Sequence, residues 1–158
     1  MNSAVLDDML SLSRTTGHGA IFGFAGYSGS GKTTLAEKLI DYFFDLLTSL
    51  DLDHLFQGAM FMTEQHAGSD VGSIDTYAEY EDGNWFLTGD KWFCSNPDAD
   101  LAMVLARHNK NISGTKGLAL FLLPKKLENG NENNYEIIRL KDKLGGRSFA
   151  SGEIKLNR

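Results

Sequence analysis

The sequence is poor in cysteine and has no long hydrophobic run. Its single thiol, Cys94, cannot form an internal disulfide and cannot complete a cysteine metal cluster alone. No apolar run approaches the about 20 residues that a transmembrane helix needs. The first residues, MNSAVLDDMLSLS, are acidic, whereas a signal peptide begins with a basic region. We therefore expect a cytoplasmic protein without a membrane partner.

Basic residues are also scarce. The chain has 15 Lys and Arg against 21 Asp and Glu, and its net charge of −6 argues against nucleic-acid binding, which requires clustered cations. The histidines at positions 54, 66 and 108 have no metal-ligand spacing, so no metal site is predicted. The 158 residues, 42% of them hydrophobic, are sufficient for one cored domain with or without an appendage.

Most of the chain beyond residue 57 shows the patterns of short strands separated by glycine-containing turns. The turn at Asp82, Gly83 and Asn84 predicts a hairpin. No strand-helix-strand alternation follows residue 50. The fold class predicted is mainly β, a small antiparallel β-barrel or two-sheet domain preceded by a helical and phosphate-loop segment. The predicted strands are residues 58–62, 75–81, 85–88, 91–95, 101–107, 118–123, 135–140 and 152–156.

The N-terminal 45 residues carry a different pattern. Residues 3–13 predict an amphipathic helix, 20–25 a short buried strand and 34–47 a second helix. Between the last two, GYSGSGKTT contains the G-x-x-x-x-G-K-T phosphate loop. Its glycines let backbone N–H groups surround a phosphate, the lysine neutralises the phosphates, and the threonine holds Mg²⁺. The candidate GTP- or ATP-binding residues are Gly26, Gly29, Gly31, Lys32 and Thr33.

This run, about residues 20–42, resembles the N-terminus of the GTP-binding adaptor proteins of molybdopterin-guanine dinucleotide biosynthesis. A nucleotide-binding module related to molybdenum cofactor synthesis is therefore one hypothesis. Such a loop works at the carboxyl end of a strand in a parallel sheet, where a second strand delivers a Mg²⁺-binding aspartate. We find no pattern for that sheet, and we expect a domain boundary near residue 45.

Two further segments have the composition of a site for a flat heterocycle. In GAMFMTEQHAGSDVGS, residues 58–73, an apolar run passes into a loop with backbone donors, a hydroxyl and a carboxylate. In GDKWFCSN, residues 89–96, aromatic side chains stand beside a hydroxyl and an amide. We call these the first and second signature segments.

Together the segments resemble the flavin-binding signatures of the acyl-CoA dehydrogenase middle domain, T-E-x-x-A-G-S-D and G-x-K-x-x-[IV]-[ST]-N. The resemblance covers about residues 46–158 and includes KLGGRSFASGEI, which is similar to the segment closing that domain. KWFCSNPDAD and LKDKLGGRS favour the branch that includes the DNA-alkylation-response acyl-CoA dehydrogenases. Two departures are a tryptophan at position 92 before Phe93, and Gln65-His66 in place of Pro-Asp.

The resemblance implies FAD as cofactor and acyl-CoA as substrate, and exposed sheet edges favour a homo-oligomer. It places Met60, Met62 and Thr63 at the flavin pyrimidine. Ser69 falls at the CoA moiety or the cofactor, and Phe93 and Ser95 fall at the dimethylbenzene side and the N5 region. No catalytic residue is assigned, because the family's base belongs to a helical C-terminal domain that we do not find. Three hypotheses stand: an acyl-CoA dehydrogenase-type oxidoreductase, a phosphate-loop nucleotide module, and a composite or truncated chain without activity of its own.

Overall fold

The computed structural model describes residues 22–24, 50–51, 53, 55–127 and 130–157. These residues form strands and two single-turn 3₁₀ helices, Val71–Ser73 and Gly114–Gly117, and contain no α-helix. No helix within the described ranges is long and apolar enough to cross a membrane. The strands are β1 Phe22–Phe24, β2 Gly58–Phe61, β3 Tyr77–Glu81, β4 Asn84–Ser95, β5 Leu101–Arg107, β6 Leu118–Pro124, β7 Tyr135–Leu140 and β8 Ser151–Asn157.

All eight strands belong to one sheet, which curls into a half-barrel. The order is β1-β6-β5-β3-β4-β8-β7, with β2 beside β5. The predicted mainly β fold is confirmed. Most pairs are antiparallel, but β2 runs parallel to β5 from Gly58 opposite Leu101 to Phe61 opposite Val104. β3 also pairs parallel with β5, at Tyr77 opposite Arg107. The antiparallel prediction is wrong for these two pairs, because turn signals specify only strands that are neighbours in the chain.

The predicted hairpin between β3 and β4 is confirmed, but its turn has two residues rather than three, because Asn84 begins β4. Asp82 and Gly83 both have positive φ, 49° and 84°, which is the type I′ geometry that matches strand twist. The two strands predicted at 85–88 and 91–95 form one continuous strand, β4. Gly89 does not turn the chain; instead, its missing side chain leaves room for Thr76.

One face of the sheet forms the core. Alternating residues on β3, β4, β5, β6 and β8 point inward, as period-two strands require. Beyond these strands the core includes Phe61 of β2. The buried cluster is Phe61, Ala78, Leu87, Cys94, Ala102, Val104, Ala106, Ala119, Phe121, Leu123, Ile154 and Leu156.

Arg107, at the end of β5, joins two loops. Its Nη2 donates to the carbonyl of Gly72 at 2.7 Å, and its Nη1 donates to the carbonyl of Ile112 at 2.7 Å. Asp70 caps the same 3₁₀ turn by accepting from the Gly72 N–H at 3.0 Å. The loop that ends the first signature segment is therefore anchored to the sheet.

The predicted strand at 20–25 is confirmed as β1. It pairs antiparallel with β6, from Phe22 opposite Leu122 to Phe24 opposite Leu120, at one edge of the sheet. The predicted helices at 3–13 and 34–47 and the five phosphate-loop residues, Gly26, Gly29, Gly31, Lys32 and Thr33, lie outside the described residues.

Candidate functional site

The two signature segments lie side by side. The backbone N–H of Trp92 donates to the carbonyl of Thr63 at 2.8 Å. Six residues before Thr63, the Gln57 side chain accepts a hydrogen bond from Asn96 Nδ2 at 2.7 Å. These two contacts join the ends of the segments 57–63 and 92–96. Residues 58–62 therefore lie alongside residues 93–95.

A β-bulge in β4 determines how the aromatic residues of the second segment are presented. Lys91 pairs with Ile154 and Cys94 pairs with Gly152, so Trp92 and Phe93 together face one residue of β8. Lys91 and Cys94 are both buried, and Phe93 is 54% exposed. The rings of Trp92 and Phe93 meet edge to face, with centroids 6.4 Å apart.

Five of the six predicted flavin-site residues lie on the two bracketed segments. Met60 is 54% exposed, Ser95 is exposed, and Met62 and Thr63 are partly buried. With Phe93, they provide apolar surface and two hydroxyls. Ser69 lies on the exposed loop that follows, after a turn in which the Ala67 N–H donates to the carbonyl of Glu64 at 3.2 Å.

A buried ion pair connects the two segments, and the sequence analysis did not identify it. Lys91 Nζ lies 2.8 Å from Glu64 Oε1 and donates to the carbonyl of Met62 at 3.2 Å. The backbone N–H groups of Asp75 and Thr76 donate to Glu64 at 2.7 and 3.0 Å. Glu64 is the fixed glutamate of the T-E pattern, and Lys91 is the fixed lysine of the G-x-K pattern. These fixed positions are the feature of the sequence from which the pair could have been predicted.

The environment of the ion pair alters both pKa values. Burial acts to raise the pKa of Glu64, but the hydrogen bonds from Lys91, Thr76 and Asp75 together outweigh it, and the pKa is lowered from its usual 4.5. Burial also lowers the pKa of Lys91, against the opposing effect of Glu64. Every buried polar side-chain atom among the described residues has a hydrogen-bond partner. The pair is therefore compensated within the core.

Charged residues just before and within the third similar segment, KLGGRSFASGEI (residues 143–154), also reach the aromatic pair. Lys141 Nζ lies 3.3 Å from the centroid of the Trp92 ring and 4.8 Å from that of Phe93. Glu153 accepts from Lys141 at 2.7 Å and from Arg139 at 2.8 Å. A cluster of two cations and one carboxylate therefore lies beside the rings of Trp92 and Phe93.

Trp92 lines an open cleft of about 580 Å³. Its lining includes Tyr77, His66 and Ile138 as well as the buried Glu64. Such a volume falls within the range of small-ligand sites, about 300 to 1,000 Å³. The cleft adjoins the surface that carries Phe93, since Trp92 and Phe93 are neighbours in the bulge.

Glu64 and Glu153 do not suit the role of a general base. The hydrogen bond from Arg139, and then that from Lys141, lowers the pKa of Glu153. The hydrogen bonds from Lys91, Thr76 and Asp75 likewise lower the pKa of Glu64. A carboxylate stabilised as an anion by cations is a weak proton acceptor, so this arrangement favours binding and orientation rather than proton transfer.

Comparison with known proteins agrees with this arrangement. The family described as "Acyl-CoA dehydrogenase, middle domain" matches residues 59–158. Acyl-CoA dehydrogenase family member 11 of Caenorhabditis elegans is 40% identical over 133 residues, covering 80% of this chain and 21% of the relative. The protein AidB of Escherichia coli is 46% identical over 97 residues, covering 61% of this chain and 17% of the relative.

Solved structures show the same fold. The structure of Caenorhabditis elegans ACDH-11 in complex with C11-CoA is similar with a TM-score of 0.68 and 38% identity, over 79% of this chain and 23% of that one. A glutaryl-CoA dehydrogenase in complex with glutaryl-CoA gives a TM-score of 0.58 and 31% identity, over 65% and 25%. The chain spans about a fifth of the curated relatives above. It belongs to the acyl-CoA dehydrogenase family, as a middle domain of that family.

Proposed function

We propose that this chain provides the flavin-holding surface of an FAD-dependent acyl-CoA dehydrogenase. The observation that carries the proposal is the Trp92 N–H to Thr63 carbonyl bond beside a half-exposed Phe93 ring. That contact brings Thr63, just beyond β2, close to the half of β4 that carries Phe93 and Ser95, so an aromatic surface and two hydroxyls lie near each other. A flat apolar ring system with polar edges is the ligand that such a surface suits.

The residues fit the cofactor that the family implies. Met62 and Thr63 would contact the pyrimidine edge through backbone and hydroxyl groups, and Ser95 would contact the N5 region. Phe93 would cover the dimethylbenzene side, with Met60 adding apolar contact. FAD, when bound, supplies the hydride acceptor for oxidation of the acyl chain. No residue of this chain is proposed as the catalytic base.

We further propose acyl-CoA as the substrate class, with Ser69 at the CoA moiety or the cofactor. Relatives in complex with C11-CoA and with glutaryl-CoA support the thioester class. The segments KWFCSNPDAD and LKDKLGGRS are the basis for proposing the DNA-alkylation-response branch. A cytoplasmic location and self-association are part of the same proposal. Among the described strands, β7 pairs with β8 alone and offers an edge for self-association.

Titration of the chain with FAD tests the cofactor assignment. Uptake should quench flavin fluorescence, and Phe93→Ala should weaken binding about tenfold, because an aromatic contact contributes about 1 kcal/mol beyond its buried area. The matched control is Tyr80→Ala, which removes another exposed aromatic residue from the far end of the hairpin. This control should bind as wild type does. Wild-type protein that takes up no FAD, or equal losses in both variants, would contradict the proposal.

A further inference from the structure

We propose that Glu64 and Lys91 are positioning residues of the flavin surface. Their ion pair sets the first signature segment against the second, so that Thr63 and Phe93 are presented together. The binding consequence rests on the proposed function; the effect on the two segments does not depend on it. Neither residue is proposed to touch the flavin.

Lys91 holds the chain on both sides of Thr63. Its ammonium group donates to the carbonyl of Met62 and to the carboxylate of Glu64. The next residue after Lys91, Trp92, donates its backbone N–H to Thr63 itself. Three consecutive residues of the first segment are therefore bound by two consecutive residues of the second.

Glu64 extends the connection to the end of the loop. Its two oxygens accept the backbone N–H groups of Asp75 and Thr76, just before β3 begins. Thr76 in turn packs against Gly89, two residues before Lys91. The loop from residue 65 to residue 74 thus starts and ends on the same carboxylate, which also restrains the segment that bears Ser69.

A buried ion pair is not needed for stability alone. Replacing such a pair by apolar residues of similar volume is often neutral for folding, whereas removing one partner leaves an uncompensated charge. Specific geometry is what the charged pair provides. β2 is only four residues long, and a shift by one residue would turn Met60 inward and Phe61 outward. The ion pair opposes this shift because only Met62 and Thr63 separate Glu64 from the end of β2.

The decisive variant is the double substitution Glu64→Leu with Lys91→Met, which removes both charges at similar volume. It is compared with Asp98→Asn with Lys125→Met, which breaks a 2.7 Å ion pair outside both signature segments. Four readouts are taken on the whole chain: the melting temperature, amide hydrogen exchange at Trp92, the FAD dissociation constant and the absorbance spectrum of the bound flavin.

We expect the Glu64/Lys91 variant to melt within a few degrees of wild type. Its Trp92 amide should exchange at least about tenfold faster, and its FAD dissociation constant should rise at least about tenfold with an altered flavin spectrum. The Asp98/Lys125 control variant should keep the wild-type exchange rate at Trp92 and the wild-type FAD dissociation constant. If the folded variant keeps both wild-type exchange at Trp92 and wild-type FAD affinity, the inference is wrong.

Two further outcomes remain decisive. If the double variant does not fold, Glu64→Gln replaces it, because that side chain keeps the shape and loses the charge; unchanged exchange at Trp92 in this variant also overturns the inference. If wild type takes up no FAD, the proposed function fails. Exchange at Trp92 then still decides whether the ion pair positions the two segments.

Discussion

Substitution of Gly89 by alanine should destabilise the fold strongly. A Cβ at this position would lie 2.6 Å from Thr76 Oγ1 and 2.7 Å from Thr76 Cα. Thr76 is fully buried, and its carbonyl accepts the Arg107 N–H at 2.8 Å, so it cannot move away freely. Overpacking of this kind costs about 1 to 3 kcal/mol, and the positive φ of 143° adds about 1 kcal/mol or more.

The expected loss is therefore about 3 kcal/mol, from a total stability of about 5 to 15 kcal/mol. Urea unfolding followed by tryptophan fluorescence measures it as a fall in the midpoint at constant slope. Two matched variants separate the causes. Gly83→Ala has positive φ but open space and should lose about 1 kcal/mol, and Gly145→Ala has neither constraint and should change little. A Gly89→Ala variant no less stable than Gly83→Ala would refute the reasoning.

Two other predictions follow from the pKa values. The pKa of Glu64 in the folded chain is below its usual 4.5, so its contribution to stability is complete above that pH and is lost as pH falls through the folded pKa. Stability measured between pH 6 and pH 3 by urea titration should therefore fall, and it should fall less in Glu64→Gln; parallel curves would contradict this. Burial raises the pKa of Cys94 to about 12, so a thiol reagent at pH 8 should label the protein only when denaturant unfolds it. Rapid labelling of the native protein would contradict the buried position of the thiol.

Strand positions were largely readable from the sequence. The bounds of β5 and β7 agree with the predicted 101–107 and 135–140, because alternation and flanking turn residues are local properties. The strands at 85–88 and 91–95 were predicted separately, and the structure joins them through Gly89, which serves close packing against Thr76 rather than a turn. A glycine in a strand pattern is compatible with either a turn or the close approach of another residue, and the sequence does not distinguish the two.

The candidate site was predicted in part. The two signature segments could be recognised, and hydrogen bonds between them bring five of the six predicted residues close together. The Glu64–Lys91 pair escaped prediction because 27 residues separate its members, and a lone lysine in a strand predicts an exposed side chain. The bulge escaped too, since it is defined by the partner strand β8.

The sequence by itself determined which segments are strands, where the hairpin lies, and which patches resemble the family's signatures, because each depends on residues close together in the chain. The tertiary structure alone decided the parallel pairing of β2 with β5, the outward presentation of both Trp92 and Phe93, and the burial of a charged pair. These features arise where distant segments meet. Their energies come from desolvation and from hydrogen bonds between residues that the sequence holds far apart.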